Sequence, residues 1–588
     1  MFDSRPDTGE YPRLFFTRAD LPALRAKLEH PDCRATWLRL LAACEALLKP
    51  DHAPIFPRHI RASHLAFAAL MTGRYSTRTG VWHTVMGRNM PRAEERMMPQ
   101  IFADNGYATA IFGKWHLGDN FPFRPQDRGF QEVLIHGGGG VGQIPDYWGN
   151  DYVDDTYLHN ARPQKFTGYC TDVFFGEATR FIEAHRHQPF FVYLPTNAPH
   201  APYRVPDVWS APYKSQVGGD AELAMFYGMI ANIDHNVGQL RRRLDELGLA
   251  DNTLLIFMTD NGTARGATFT DNRGNDGKLI SGYSAGMRGR KGSPYEGGHR
   301  VPCFLRWPAG KLTGGRDVGG LAAHLDLLPT LIDLCRLEEP KRIDFDGISL
   351  RGALAGTAAI PADRILLAHH QELPEPEKHR FASVMQGAWR LILRNDLGEG
   401  AKPAVELYRL TDDPGQTRNI AAEHRAIATR LRHAYDKLWD EFAANFDQPA
   451  EIVIGHDGQN PVELTCFEWH SSQQWHQTAV MRGLPTNGYW AIRVDRAGKY
   501  ELALRRWPPE ADAPITAAIA GGRAIPADQA RLRVGPFDEQ RPVGPTTRAV
   551  VFNLSLPAGP TRLETWFTAG DRDSRGAYYV TVRRLEAK

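Results

Sequence analysis

The chain has 588 residues, enough for about four units at roughly 150 residues per domain, so a single small binding module is excluded. Hydrophobic residues are 42% and charged residues 23%, the balance of a globular chain with more than one core. Seventy Lys+Arg against 68 Asp+Glu leave a formal charge of +2, which offers no global field to nucleic acid or an anionic membrane.

Along the chain, no run approaches the roughly 18 apolar residues of a membrane span. The opening Met1-Phe2-Asp3-Ser4-Arg5-Pro6 lacks the basic-then-apolar layout of a secretion signal, so the default expectation is a cytoplasmic chain. Six cysteines without a Cys-x-x-Cys pair point to buried apolar thiols rather than a disulfide or zinc framework. Residues 1–57 read as a helical leader. Asp20 caps one helix, Trp37 to Leu48 carries a second periodic stripe, and Pro50, Pro54 and Pro57 break the pattern.

From 58 to 339 strands alternate with helices, as in a sheet with parallel strands and crossover helices. Tyr107–Phe112, Phe190–Leu194 and Leu254–Met258 read as three buried strands. Val173 to His185 and residues 222 to 248 read as helices, with Arg241, Arg242 and Arg243 on a solvated face. Residues 340–447 form a third region, with strands over Ala382 to Leu393 and Ala404 to Leu410 and a helix from about Ala421 to Phe446. From 450 to 588 the texture is that of a β-sandwich, in which Trp469-His470 and Trp475-His476 are core or sugar-stacking aromatics.

In an open α/β sheet, ligands gather beyond the carboxyl ends of the strands. The first strand is followed by Gly113-Lys114-Trp115-His116, the second by Asn197-Ala198-Pro199-His200 and the third by Thr259-Asp260-Asn261-Gly262. Lys114, His116 and His200 offer charge and proton transfer around an oxyanion such as sulfate or phosphate. Asp260 and Asn261 offer the oxygen ligands of a hard cation such as Ca²⁺ or Mg²⁺. Lys291, in the glycine-rich run Arg290 to Arg300, is a loop lysine of the same kind. Singly, Asp-Asn-Gly is a turn and Lys-x-His is loop surface; three such groups after three successive strands make a shared site. The run His136 to Gly142 lacks the Gly-Lys-Ser/Thr of a phosphate loop and reads as an active-site loop.

These residues, with Ala68 to Arg74, Asp326 to Thr330, Asp346-Gly347, Glu406-Leu407-Tyr408 and Asp413-Pro414-Gly415, resemble the formylglycine-dependent sulfatases of the alkaline phosphatase superfamily. The resemblance implies an alkaline-phosphatase-like mixed sheet flanked by helices, a small α+β subdomain, and hydrolysis of a sulfate ester; the accessory β-module and the lyase-like leader point to a carbohydrate ester. It implies that Asp260 and Asn261 bind calcium, Lys114 and Lys291 grip sulfate oxygens, His116 assists breakdown of a sulfated formylglycine hydrate, and His200 protonates the leaving alcohol. It also implies a secreted or periplasmic setting in many members.

Counting back from Thr72-Gly73-Arg74, Ser63 stands at the position of the formylglycine precursor. There the pattern departs from Cys/Ser-x-Pro-x-Arg, with Leu65 for the proline and Phe67 for the arginine. No apolar strand before residue 62 ends in the family's Asp pair, and Asp154-Asp155 reads as loop. Tyr11 to Leu21 instead weakly resembles the opening of heparinase-II/III-like lyases. Three readings follow: a sulfuric ester hydrolase, a non-catalytic protein that binds sulfated glycan, or a metal-dependent phosphoester hydrolase that uses Ser63 directly.

Overall fold

The structure, a computed structural model, describes residues 55–57, 60–61, 65–270, 279–339, 343–395, 404–519, 521–570 and 573–585. The leader before residue 55 and Ser63 lie outside them. Ile55–Pro57, read as part of a break, is a strand; three residues are too few for an alternating pattern to show in sequence.

A five-stranded sheet has the order Arg162–Lys165, Thr156–His159, Glu132–His136, Ala108–Lys114, Phe190–Tyr193. Ala108–Lys114 runs parallel to both of its neighbours. Its first six residues are buried, partly under the Cys170–Ala184 helix, whose Phe174, Ala178 and Phe181 share a core with Ala110 and Phe112. A second sheet, of four strands, has the order Arg316–Val318, Ile55–Pro57, Cys303–Arg306, Leu255–Met258. It mixes parallel and antiparallel pairs, so the fold is a mixed α/β one. The 26-residue helix Ala221–Glu246 opens on Asp220, whose carboxylate accepts from Leu223 N at 3.0 Å. Asp155 takes the backbone N–H groups of Asp151 and Tyr152, as befits a loop.

Phe190–Tyr193 and Leu255–Met258 each end their sheet, and among the described residues no strand lies between them. Both line one cavity of about 2510 Å³. This corrects the reading of three buried strands. Only Ala108–Lys114, flanked on both sides, is buried; the other two are half-buried, with Phe257 38% exposed, each having a neighbour along one edge only among the described residues.

The third region is an antiparallel sheet of Ile365–His369, Ala382–Gln386, Trp389–Arg394 and Ala404–Arg409. The Arg425–Ala443 helix buries Leu431, Tyr435 and Trp439 against it. Beyond residue 450, a six-stranded and a four-stranded sheet share one core, which also takes in Val85, Met86, Met90, Phe123 and Ile144. The last module is therefore packed onto the α/β region rather than strung from it. Trp469 lies wholly inside that core, whereas Trp475 does not. The four described cysteines are free, and among the described residues no helix is long and apolar enough to cross a membrane.

Candidate active site

Lys114 ends its strand in register with His136. Gly113 before it adopts φ +128°, and a Cβ there would lie 2.1 Å from the Pro195 carbonyl oxygen; only glycine lets Lys114 N reach that carbonyl at 2.8 Å. The contact ties the rim after the first strand to the segment that carries His200.

Asp260 and Asn261 follow Leu255–Met258 in the other sheet. The Lys291 loop is joined to them by the backbone, Lys291 N donating to Thr263 O and Gly262 N to Gly298 O, both at 3.0 Å. The loop is also clamped to the third region. Glu296, wholly buried, accepts from Arg390 Nε at 2.8 Å, and Tyr295 Oη donates to Glu406 at 2.8 Å. Lys114, Asn197, His200, Asp260, Asn261, Lys291 and His324 all line the cavity, so five sequence-derived positions converge on one place, with His116 two residues beyond Lys114.

The charges act on one another. Burial pushes the Lys114 ammonium down to about 8, Lys291 pushes the same way, and Asp260 opposes them. Burial alone would raise the Asp260 carboxyl, but the charges of Lys291, Lys114, His200 and His324 prevail and hold it below its ordinary value. His200 is pushed down to about 3 by burial and by the two lysines. His116 falls well below the ordinary imidazole range through burial and Lys114. Without an anion, then, the site holds two neutral imidazoles beside lysine charge that one carboxylate offsets only in part, which is an arrangement that gains by taking up an oxyanion.

The tautomers follow from the carbonyls. His200 Nδ1 faces Ala201 O at 2.7 Å, so it carries the proton and Nε2 keeps its lone pair. His116 Nε2 faces Thr84 O at 2.8 Å and donates to it. Its Nδ1 is then an unprotonated acceptor, buried and without a partner. His116 has φ 63°, a left-handed conformation that costs about 1–3 kcal/mol, offset by that bond and by stacking on Phe67, with ring centroids 5.2 Å apart. The residue at the arginine position is thus a buried phenyl face against His116, with no charge for an anion.

For a metal, Asn261 Oδ1 is buried without a hydrogen-bond partner next to the Asp260 carboxylate, which is hard-cation donor chemistry. Two donors fall short of the roughly six to eight oxygens that calcium takes, and among the described residues no group of three or more His, Cys, Asp or Glu could hold a metal ion. The described set is incomplete for calcium.

Sequence reasoning missed two members. His324, two residues before Asp326, bonds through Nε2 to Thr259 O at 2.9 Å; its proximity to the Asp326 motif was the only signal. Asn197 donates to Tyr152 Oη and leaves Oδ1 buried without a partner. Two motifs prove to be structural ties instead. Asp326 is wholly buried and paired with Arg364, and Asp346 accepts from Tyr75 N and Arg78.

A mixed α/β fold with lysine, histidine and carboxylate side chains gathered on one cavity is the class defined here. A sequence model described as Sulfatase matches residues 43–337, half of the chain, which therefore belongs to the sulfatase family. It is 29% identical over 311 residues to the uncharacterized sulfatase YdeN of Escherichia coli K12, covering 48% of this chain and 51% of that protein. It is 30% identical over 320 residues to human N-acetylgalactosamine-6-sulfatase, covering 50% and 58%. The chain thus spans about half the length of these curated relatives. Among solved structures it resembles Ps i-CgsB in complex with k-i-k-neocarrahexaose, with a TM-score of 0.57, 25% identity and coverage of 68% of this chain and 87% of that one.

Proposed function

We propose that the chain is a sulfuric ester hydrolase directed at sulfated carbohydrate. The observation that carries this reading is the mutual electrostatic coupling of Lys114, Lys291, His200 and Asp260 around one cavity rim. The relative named as an N-acetylgalactosamine-6-sulfatase and the structure named with k-i-k-neocarrahexaose support carbohydrate over a simple aryl ester.

In this reading Lys114 and Lys291 take the sulfate oxygens. Burial and then the lysine charges keep His200 neutral; an incoming anion offsets the lysine part and so favours a proton on Nε2, placed for transfer to the leaving oxygen. His116, with an unprotonated Nδ1, would serve as a base. Ser63 is the candidate nucleophile, as formylglycine when matured. Asp260 and Asn261 would supply two oxygen ligands of a calcium ion, which in such a site polarises the sulfate; the described residues complete no such site, and no step here passes through it. A second reading, glycan binding without turnover, is favoured by one observation, the uncharged Phe67 face on His116.

The test is an assay of the purified protein with calcium on aryl sulfate, sulfated oligosaccharide and aryl phosphate, with peptide mass spectrometry over Ser63. Sulfate release with formylglycine at Ser63 is the expected result. Binding without release establishes the second reading, and phosphate release lost in Ser63→Ala replaces both.

A further inference from the structure

The C-terminal module is joined by one loop to the segments that pack against His116. His136, the register partner of Lys114, opens the glycine run 137–140, and Gly139 lies so near His116 that a Cβ there would stand 2.2 Å from the ring's Cε1. The run continues straight into the module. Gln143 and His476 form an antiparallel bridge, Ile144 N donates to Trp475 O at 3.0 Å, and Gln477 N donates to Gly142 O at 3.2 Å. The Gln477 amide closes the join, giving Nε2 to the carbonyls of Gln143, Asp146 and Tyr147 and taking Gly149 N at 3.1 Å. On the other side, Gln473 Nε2 meets the His83 ring at 2.7 Å, one residue from the Thr84 carbonyl that holds His116. Residues 473–477 are therefore fastened to both segments that position His116.

Within this fixed loop the side chains divide. Gln474 and Gln477 are buried, while Gln473 is exposed and Trp475 leaves 47% of its surface open. An indole whose backbone is pinned but whose face is unpacked offers a flat apolar platform at little ordering cost, with amide and imidazole groups alongside for hydroxyls.

We propose that Trp475, flanked by Gln473 and His476, is a subsite for the sugar unit next to the sulfated one, so that the module selects oligosaccharide over monosaccharide. This rests on the sulfated-carbohydrate reading of the Lys114–Lys291 site. The indole takes the C–H face of a pyranose, and Gln473 and His476 bond its hydroxyls.

The experiment is titration calorimetry of the full chain with inorganic sulfate, N-acetylgalactosamine 6-sulfate and a chondroitin 6-sulfate hexasaccharide. The wild-type chain is expected to bind the hexasaccharide more tightly than the monosaccharide. Trp475→Ala should weaken the hexasaccharide about tenfold and leave inorganic sulfate unchanged, with Trp475→Phe recovering most of the loss and the thermal midpoint unmoved. Lys114→Ala should weaken all three ligands. An unchanged hexasaccharide affinity in Trp475→Ala beside a loss in Lys114→Ala overturns the subsite and keeps the sulfate site. Wild-type affinity equal for hexasaccharide and monosaccharide also overturns the subsite. No binding of any ligand, or no effect of Lys114→Ala, overturns the reading beneath it.

Discussion

The Ala108–Lys114 and Leu255–Met258 strands both lead into functional side chains and open on the same cavity, yet the first is buried and the second half-exposed. The first pairs on both sides; among the described residues the second pairs with Cys303–Arg306 alone. Apolar residues make a strand, but a strand's burial is set by its neighbours.

The sharpest way to break that comparison is to truncate one apolar side chain in each strand. Ile111→Ala in the buried strand should cost about 3 kcal/mol of stability. Ile256→Ala, beside the cavity, should cost less than about 1 kcal/mol. Equal losses in denaturant unfolding would show that the Leu255–Met258 edge is covered after all.

Smaller effects test whether the strand ends still act as one site. Removing a charge-assisted contact in Lys114→Ala should weaken binding of a sulfated monosaccharide by about 2 kcal/mol, near thirtyfold, by calorimetry. The pH dependence carries a sign. Lys114 is charged below about 8 and neutral above it, so sulfate affinity should be full near pH 7 and fall about tenfold by pH 9.5; affinity that rose with pH would contradict the assignment. Calcium should bind only at millimolar levels, because two oxygen donors face nearby lysine charge, and Asp260→Asn should abolish even that.

Much of this was legible in the chain. Lys114, His200, Asp260 and Lys291 stand after apolar runs or in a glycine-rich loop, where sheet geometry delivers ligand-binding groups, and the helices at Cys170–Ala184 and Ala221–Glu246 followed their periodicity. The unequal burial of the strands was not legible, because an apolar run does not say how many strands flank it. Neither was His324, whose role comes from a bond to Thr259 across 65 residues. Nor could composition tell Trp469 from Trp475; only the packing of the module shows one as core and the other as surface.

The buried Glu296–Arg390 pair gives the third region a hold on chemistry it never touches. Arg390 belongs to the antiparallel sheet, and Glu296 is the fifth residue after Lys291 in its loop. Replacing Arg390 with methionine would take the nearest cation from a buried carboxylate and leave it the longer Arg300 pair at 3.8 Å, a penalty of up to about 3 kcal/mol, and the cheapest relief is for the loop to lift Glu296 toward water and carry Lys291 with it. The distant sheet is thus a mooring for the anion site, and its failure would register as lost sulfate affinity before the chain unfolds.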